Sequence, residues 1–253
     1  KINIGGSDIL RKNHYSNLKS QGYNFVKELG KGSYSYVDKF EKDGKYYAIS
    51  MEKKKSDKTS SRKNKFINNY IKNKIYFSKN IENLFDCSFV LTYNIKRIGT
   101  YDYYISEAFD SDLFSYIFKS EITLSNEIKK FILCQLIYGL YCLHRIGVTH
   151  GDLKTFNMLV KIVDDLPIIK FIDMDGGKID SNIINEMVNN NILSVEDPLT
   201  RKLNVVDIVT LFYLPDNIKD KFKTRFGRVI GLQKVNKTTD MFTLGKIFYH
   251  ILF

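Results

Sequence analysis

The first third of the chain alternates apolar and polar residues in the manner of strands. "YNFVKELG" (23–30), "SYVDKFEK" (35–42) and "KYYAISMEK" (45–53) are short β-type runs. They are divided by a glycine-rich turn and by Asp43-Gly44, a strong hairpin signal. "KNKFINNYIKNKIYFS" (63–78) then places Ile67, Tyr70, Ile71 and Ile75 at helical spacing. "VLTYNIKRIGTYDYYISEAF" (90–109) reads as two more strands. From Ser125 the period becomes helical again, with Ile128, Phe131, Ile132, Leu136, Leu140 and Leu143 on one apolar face. "NMLVKIV" and "PIIKFID" predict a hairpin turning at Asp164-Asp165, and "DMFTLGKIFYHILF" (240–253) predicts a last apolar-rich helix. The pattern predicts an α+β chain in two lobes. A short extension (1–22) precedes a β-rich lobe with one main helix (23–109) and a mainly helical lobe (110–253). There is no internal repeat and no proline-rich linker.

Composition narrows the class without naming a function. The 253 residues are enough to bury a sizeable core, and 43% hydrophobic content argues against global disorder. A net charge of +11 suits an anionic partner, but the charges are scattered, as a lysine-rich bias would also leave them. The densest basic stretch, Lys53-Lys54-Lys55 with Lys58, Arg62, Lys63 and Lys65, is interleaved with small polar residues rather than aromatics. It reads as a solvated loop, and no nucleic-acid partner is predicted. "FILCQLIYGLYCL" (131–143) is too short and interrupted for a membrane span. Cys87, Cys134 and Cys142 lack metal-ligand spacing and read as buried thiols in a reducing compartment. No signal peptide is visible, so a cytoplasmic protein, or one delivered into a host cytosol, is expected.

The chemistry-bearing residues cluster in "HGDLKTFNML" (150–159) and at Asp173. Phosphoryl transfer needs a carboxylate to orient a hydroxyl, a cation on the moving group, and oxygen ligands for a divalent metal. Asp152, Lys154, and the pair Asn157 with Asp173 can fill those roles in turn. A polar loop with Asp and Asn chosen for turn geometry is the bland alternative. "LGKGSYSYV" (29–37) adds Gly30 and Gly32, which permit close backbone approach to phosphates, and Val37, which can cover a flat ring. A dinucleotide fingerprint is excluded, because a strand rather than a helix follows this loop.

These segments together resemble the eukaryotic-type protein kinase family. "HRIGVTHGDLKTFNMLV" is similar to its catalytic loop, "GKGSYSYV" to its glycine-rich loop, "KFIDMDG" to its metal-binding segment, and "TTDMFTLGKIFYHIL" to its supporting helix. The resemblance runs from about residue 23 to 253 and implies a two-lobed fold using ATP with Mg2+ or Mn2+. It implies that Val37 and Ala48 roof the adenine and Leu159 floors it. Glu107 and Phe109 would meet the base through backbone groups, and Asp112 the ribose. Ser106 falls at the gatekeeper, and Asp240 would brace the catalytic loop.

The family pattern breaks at one ion pair. Ser50 stands where the third strand should carry a lysine, and no glutamate occurs between Lys53 and Ile81. "IKNKIYF" resembles the corresponding helix of the casein kinase one and vaccinia-related kinase branches, which puts Lys72 at the glutamate position. Lys31, Lys39 or Lys72 could supply the missing cation; Lys72 pointing to solvent is the rival reading. Ser35 replaces the third loop glycine, Gly151 replaces the arginine that receives an activation-loop phosphate, and Asp175 replaces the glycine that follows the metal-binding aspartate. The stretch from Asp173 to "TLFYLPD" (210–216) is long for an activation segment, and either a truncation before the family's last helices or a minimal kinase like some secreted bacterial effector kinases is expected. Two functions follow as expectations. One is a divergent serine/threonine-type kinase acting on a protein substrate; the other is a pseudokinase that docks a protein partner, with or without nucleotide.

Overall fold

A computed structural model describes residues 6–31, 35–52, 58–78, 90–120, 123–174, 177–210, 228–232 and 235–253. Two compact units emerge, Lys1–Lys58 with Tyr93–Phe109, and Thr59–Thr92 with Asp110–Phe253.

The first unit is a five-stranded antiparallel sheet. β1 (Asn24–Lys31), β2 (Ser35–Lys42), β3 (Lys45–Glu52), β4 (Asn94–Ile98) and β5 (Tyr101–Glu107) run in the order β1-β2-β3-β5-β4. The β2–β3 turn is closed by Asp43 and Gly44, both left-handed (φ 52° and 73°), which matches the right-handed strand twist. The register pairs Tyr36 with Met51 and Ile49 with Ile105, so Tyr36, Phe40, Ile49, Met51, Tyr103 and Ile105 form one buried face. Against that face lies α1 (Gly6–Lys19), contributing Leu18 to the core. Its polar side chains do the rest. Arg11 Nη2 and Tyr15 Oη donate to the two oxygens of fully buried Asp38 at 2.7 and 2.6 Å. His14 sits between Tyr103 Oη and the Glu52 carbonyl, 3.0 Å from each. The apolar pattern marks residues 1–22 only as an extension, because a helix anchored by Arg, His and Tyr shows little apolar periodicity.

The second unit begins with α2 (Lys58–Ser78). Ile67, Tyr70 and Ile71 join a core with Leu136, Leu140, Leu143 and Phe171, so this helix groups with the second unit rather than with the 23–109 lobe assigned from sequence. The basic stretch also departs from its solvated-loop reading. Residues from Lys58 onward are helical, and Lys63 is fully buried, donating to the Val205 carbonyl at 2.8 Å. Arg62 forks onto Asp197 at 3.1 and 2.6 Å. Lys53, Lys54 and Lys55 lie outside the described residues.

β6 (Ser111–Asp112) leads into α3 (Leu113–Phe118), and α4 (Asn126–Arg145) follows, capped by Ser125 Oγ on the Ile128 N–H. Cys142 is buried on α4, but Cys134 is exposed there, which corrects the buried-thiol reading; Cys87 lies outside the described residues. β7 (Val148–Thr149) precedes the catalytic-type loop. β8 (Met158–Val163) and β9 (Leu166–Phe171) then form the expected hairpin, turning on Asp164 and Asp165 with φ of 49° and 64°. β10 (Lys178–Ile179) pairs with β7. α5 (Ser181–Asn189) and α6 (Pro198–Leu203) lead to the pair β11 (Val206–Thr210) and β12 (Arg228–Leu232). α7 (Lys237–Leu252) starts three residues before its apolar run, because Asn236 and Thr239 close a capping box. Among the described residues no helix is long and apolar enough to cross a membrane.

Candidate active site

The loop from His150 to Asn157 is held from below by one carboxylate. Asp240, 1% exposed in the first turn of α7, accepts the His150 N–H at 2.8 Å on Oδ2 and the Gly151 N–H at 2.9 Å on Oδ1. His144 Nε2 lies 3.0 Å from the same Oδ2. Two backbone donors that no strand or helix satisfies are thereby paired in the core. His150 adds a second brace. Its Nε2 meets the Ile172 carbonyl at 3.0 Å and its Nδ1 accepts the Asp152 N–H at 3.3 Å, a pattern that assigns the ring proton to Nε2.

Asp152 is gripped at both oxygens. Thr210 N–H donates to Oδ1 at 2.7 Å, and Lys154 Nζ donates to Oδ2 at 2.5 Å. The same ammonium also donates to Thr210 Oγ1 at 3.2 Å. Carboxylate, ammonium and hydroxyl thus form one cluster, with Lys154 placed where a cation can follow a group transferred at Asp152.

The segment that carries Thr210 is itself anchored. Buried Lys63 holds the Val205 carbonyl, and Val206 is fully buried against Gly151. A Cβ at Gly151 would stand 2.7 Å from Val206 Cγ1, and Gly151 has φ of 82°. The position where the family carries an arginine is therefore filled by packing, and only glycine fits it. Lys63, Val206 and Thr210 escaped the sequence reading. They lie dozens of residues from Asp152, in stretches whose pattern marks only a basic run and a long activation segment.

Asn157 and Asp173 lie at the same end of the β8–β9 hairpin. The ladder pairs Met158 with Phe171 and continues as Ile172 N–H to the Asn157 carbonyl at 3.0 Å, which brings Asp173 alongside. Asn157 is buried and its Nδ2 donates to the Asp152 carbonyl at 2.9 Å, which leaves the amide oxygen as the atom that could face a metal. Asp173 is exposed and left-handed (φ 65°), a conformation that Asp tolerates and that recurs at functional sites. Two hard oxygen donors suit Mg2+, which keeps several waters and shares phosphate oxygens. Among the described residues no group of three or more His, Cys, Asp or Glu could hold a metal alone.

The remaining predicted residues divide between the units. In the second, Asp112 pairs directly with Leu159 across β6 and β8. Asp112 also caps α3, receiving the Ser115 N–H and Oγ–H at 2.8 Å each, a structural employment the sequence reading missed. Lys72 is half-buried on α2. In the first, Gly30 pairs with Val37, Val37 with Ser50, and Lys39 with Ala48. Directly paired residues share a face, so Val37, Lys39, Ala48 and Ser50 lie opposite the α1-covered side. The alternation expected for Ala48 and Ser50 against Met51 is therefore met. Lys39 Nζ stands over the Tyr46 ring at 4.1 Å and Lys31 Nζ over Tyr36 at 5.8 Å. Glu107 and Phe109 end this unit, and Ser106 Oγ donates to the Glu107 carbonyl at 3.1 Å. Gly32, Lys53 and Asp175 lie outside the described residues.

Comparison with known proteins identifies the family. The protein kinase domain family model matches residues 23–192. A mitogen-activated protein kinase homolog NTF3 of Nicotiana tabacum is 29% identical over 157 residues, covering 58% of this chain and 38% of that protein. Mitogen-activated protein kinase 2 of Arabidopsis thaliana matches to the same extent, 29% over 157 residues, with the same coverage of both chains. Mitogen-activated protein kinase 4 of Oryza sativa subsp. japonica is 44% identical over 69 residues, 27% of this chain and 18% of that protein. The chain thus spans less than two fifths of the length of these relatives, and none of the three is from the casein kinase one or vaccinia-related branches that "IKNKIYF" resembles. With the Asp240-braced loop, the Asp152–Lys154–Thr210 cluster and a family match over more than half of its length, the chain belongs to the protein kinase family.

Proposed function

We propose that this chain transfers the γ-phosphate of ATP to a serine or threonine hydroxyl of a protein. The reading rests above all on the grip that Thr210 and Lys154 exert on Asp152. Asp152, fixed at both oxygens, orients the acceptor hydroxyl and takes up its proton as the bond to phosphorus forms. Lys154, already adjacent, neutralises charge on the moving phosphoryl group. Asn157 and Asp173 would hold Mg2+, which when bound offsets the charge of the nucleotide phosphates. Gly30, Gly32, Val37, Ala48, Glu107, Phe109, Asp112 and Leu159 would receive the nucleotide.

Ser50 sets the rate. Losing one preorganised cation costs about 2.7–4 kcal/mol, roughly a hundred- to thousand-fold. Lys39 shares the face of Ser50 but is engaged with Tyr46, so it restores the charge only by leaving that ring. A pseudokinase is the second reading, favoured by Ser50 together with the absence of glutamate from α2.

Calorimetric titration of ATP with and without magnesium, on this chain and on Asp173→Asn, tests the nucleotide site. Transfer from labelled ATP to mixed protein acceptors, against Asp152→Asn, tests the chemistry. Metal-dependent binding lost in Asp173→Asn, with transfer lost in Asp152→Asn, is expected. Binding without transfer would leave the pseudokinase reading in possession, and no binding in either condition would remove the nucleotide from it.

A further inference from the structure

The catalytic loop carries one residue that its chemistry does not explain. Thr155 and Asn157 are buried in a single 3-10 turn, so the residue between them is thrust outward. That residue is Phe156, with 48% of its surface exposed. A polar side chain would occupy this position without exposing an aromatic ring to water.

Phe156 does not stand alone. Its ring stacks on Phe114 of α3, centroids 4.5 Å apart at 26°. Phe114 in turn meets Phe118 one helical turn on, at 5.1 Å. Phe118 is 49% exposed, whereas Leu113 of the same helix is fully buried. Two elements of the second unit therefore build one aromatic patch, separated by a single residue from Lys154. Phe156 lies four residues along the same loop from Asp152, so the rings flank the loop that an acceptor segment would approach.

Size and charge select the occupant. An aromatic side chain offers about 150–250 Å² in all, so three part-exposed rings fall well short of the ~800 Å² per partner that a stable dimer buries. The patch fits one or two side chains rather than a second copy. Lys119 Nζ already stands over the Phe114 ring at 5.8 Å in a cation–π position, so an incoming cation there meets a like charge.

We propose that Phe114, Phe118 and Phe156 form a specificity seat that selects acceptor segments carrying an aromatic or large aliphatic residue near the phosphorylated serine or threonine. The inference rests on the kinase reading for its meaning, but the seat can be tested without turnover.

The test uses fluorescein-labelled serine peptides in which phenylalanine is scanned through the flanking positions, with an all-alanine-flanked peptide as reference. Binding is read by anisotropy, and phosphate transfer is followed in parallel. One phenylalanine position should bind roughly tenfold tighter than the reference. The gain should vanish in both Phe156→Ala and Phe118→Ala, while ATP affinity is unchanged. In transfer assays the same position should lower KM and leave kcat alone. Equal affinity for every peptide, or a gain that survives both variants, overturns the seat. A gain that depends on the rings without any phosphate transfer upholds the seat and sinks the kinase reading instead.

Discussion

Replacing Asp240 by Asn tests the bracing of the catalytic loop with almost no change of shape. The carboxylate receives the His150 N–H on one oxygen and the Gly151 N–H on the other. An amide has a single acceptor oxygen, so whichever way it flips, its NH2 faces one of these backbone donors. One buried N–H is then orphaned, at about 1–3 kcal/mol, and the surviving bond loses its charge assistance, roughly 1 kcal/mol more. Removing a buried charge returns part of this cost, which sets the lower bound. The net loss should be about 1–4 kcal/mol, a fall in melting temperature of roughly 2–15 °C for a domain of this size. The chain has no tryptophan, so urea unfolding is best followed by far-UV circular dichroism. Hydrogen exchange then locates the damage, with the amides of His150 and Gly151 exchanging much faster in the variant. An unchanged unfolding midpoint with both amides still protected would refute the reasoning.

Three other outcomes follow. Lys63→Met leaves the Val205 carbonyl unpaired and should cost about 1–3 kcal/mol, with faster exchange across 206–210 as the anchor on Thr210 loosens; unaltered exchange at Thr210 would separate Lys63 from the site. Gly151→Arg, which restores the family residue, should destabilise by about 2 kcal/mol or more, since φ is 82° and Val206 occupies the space, and phosphate should not rescue its melting temperature. Burial holds the His14 imidazole below its ordinary value of 6.5, despite the opposing Glu52 carbonyl. The unfolded chain then binds the proton more readily, so stability is complete above pH 6.5 and falls as pH drops toward the lower folded value. His14→Gln should flatten that acid-side slope in unfolding measured across pH 5–7, taken as roughly the window where histidine titrates.

The sequence by itself determined the strands of the first unit, the α4 and α7 helices and the order of the candidate catalytic residues. Each rests on local physics: period-two or helical spacing of apolar residues, Asp-Gly or Asp-Asp turns, and a loop between helix and hairpin too short to separate Asp152, Lys154 and Asn157. Even Asp173 was legible, because a hairpin of known strand lengths returns it to Asn157. What the pattern could not carry was partnership over distance. α1 binds its sheet through Arg11, His14 and Tyr15, polar residues whose burial depends on Asp38 and Tyr103 being folded beneath them. Lys63, read as a solvated lysine, is buried because a backbone carbonyl 142 residues away accepts its proton. Gly151 read as a lost arginine; only Val206, packed against it, makes glycine a requirement. Local propensity is written in neighbouring residues, whereas satisfied burial of charge and close packing exist only once distant segments have met.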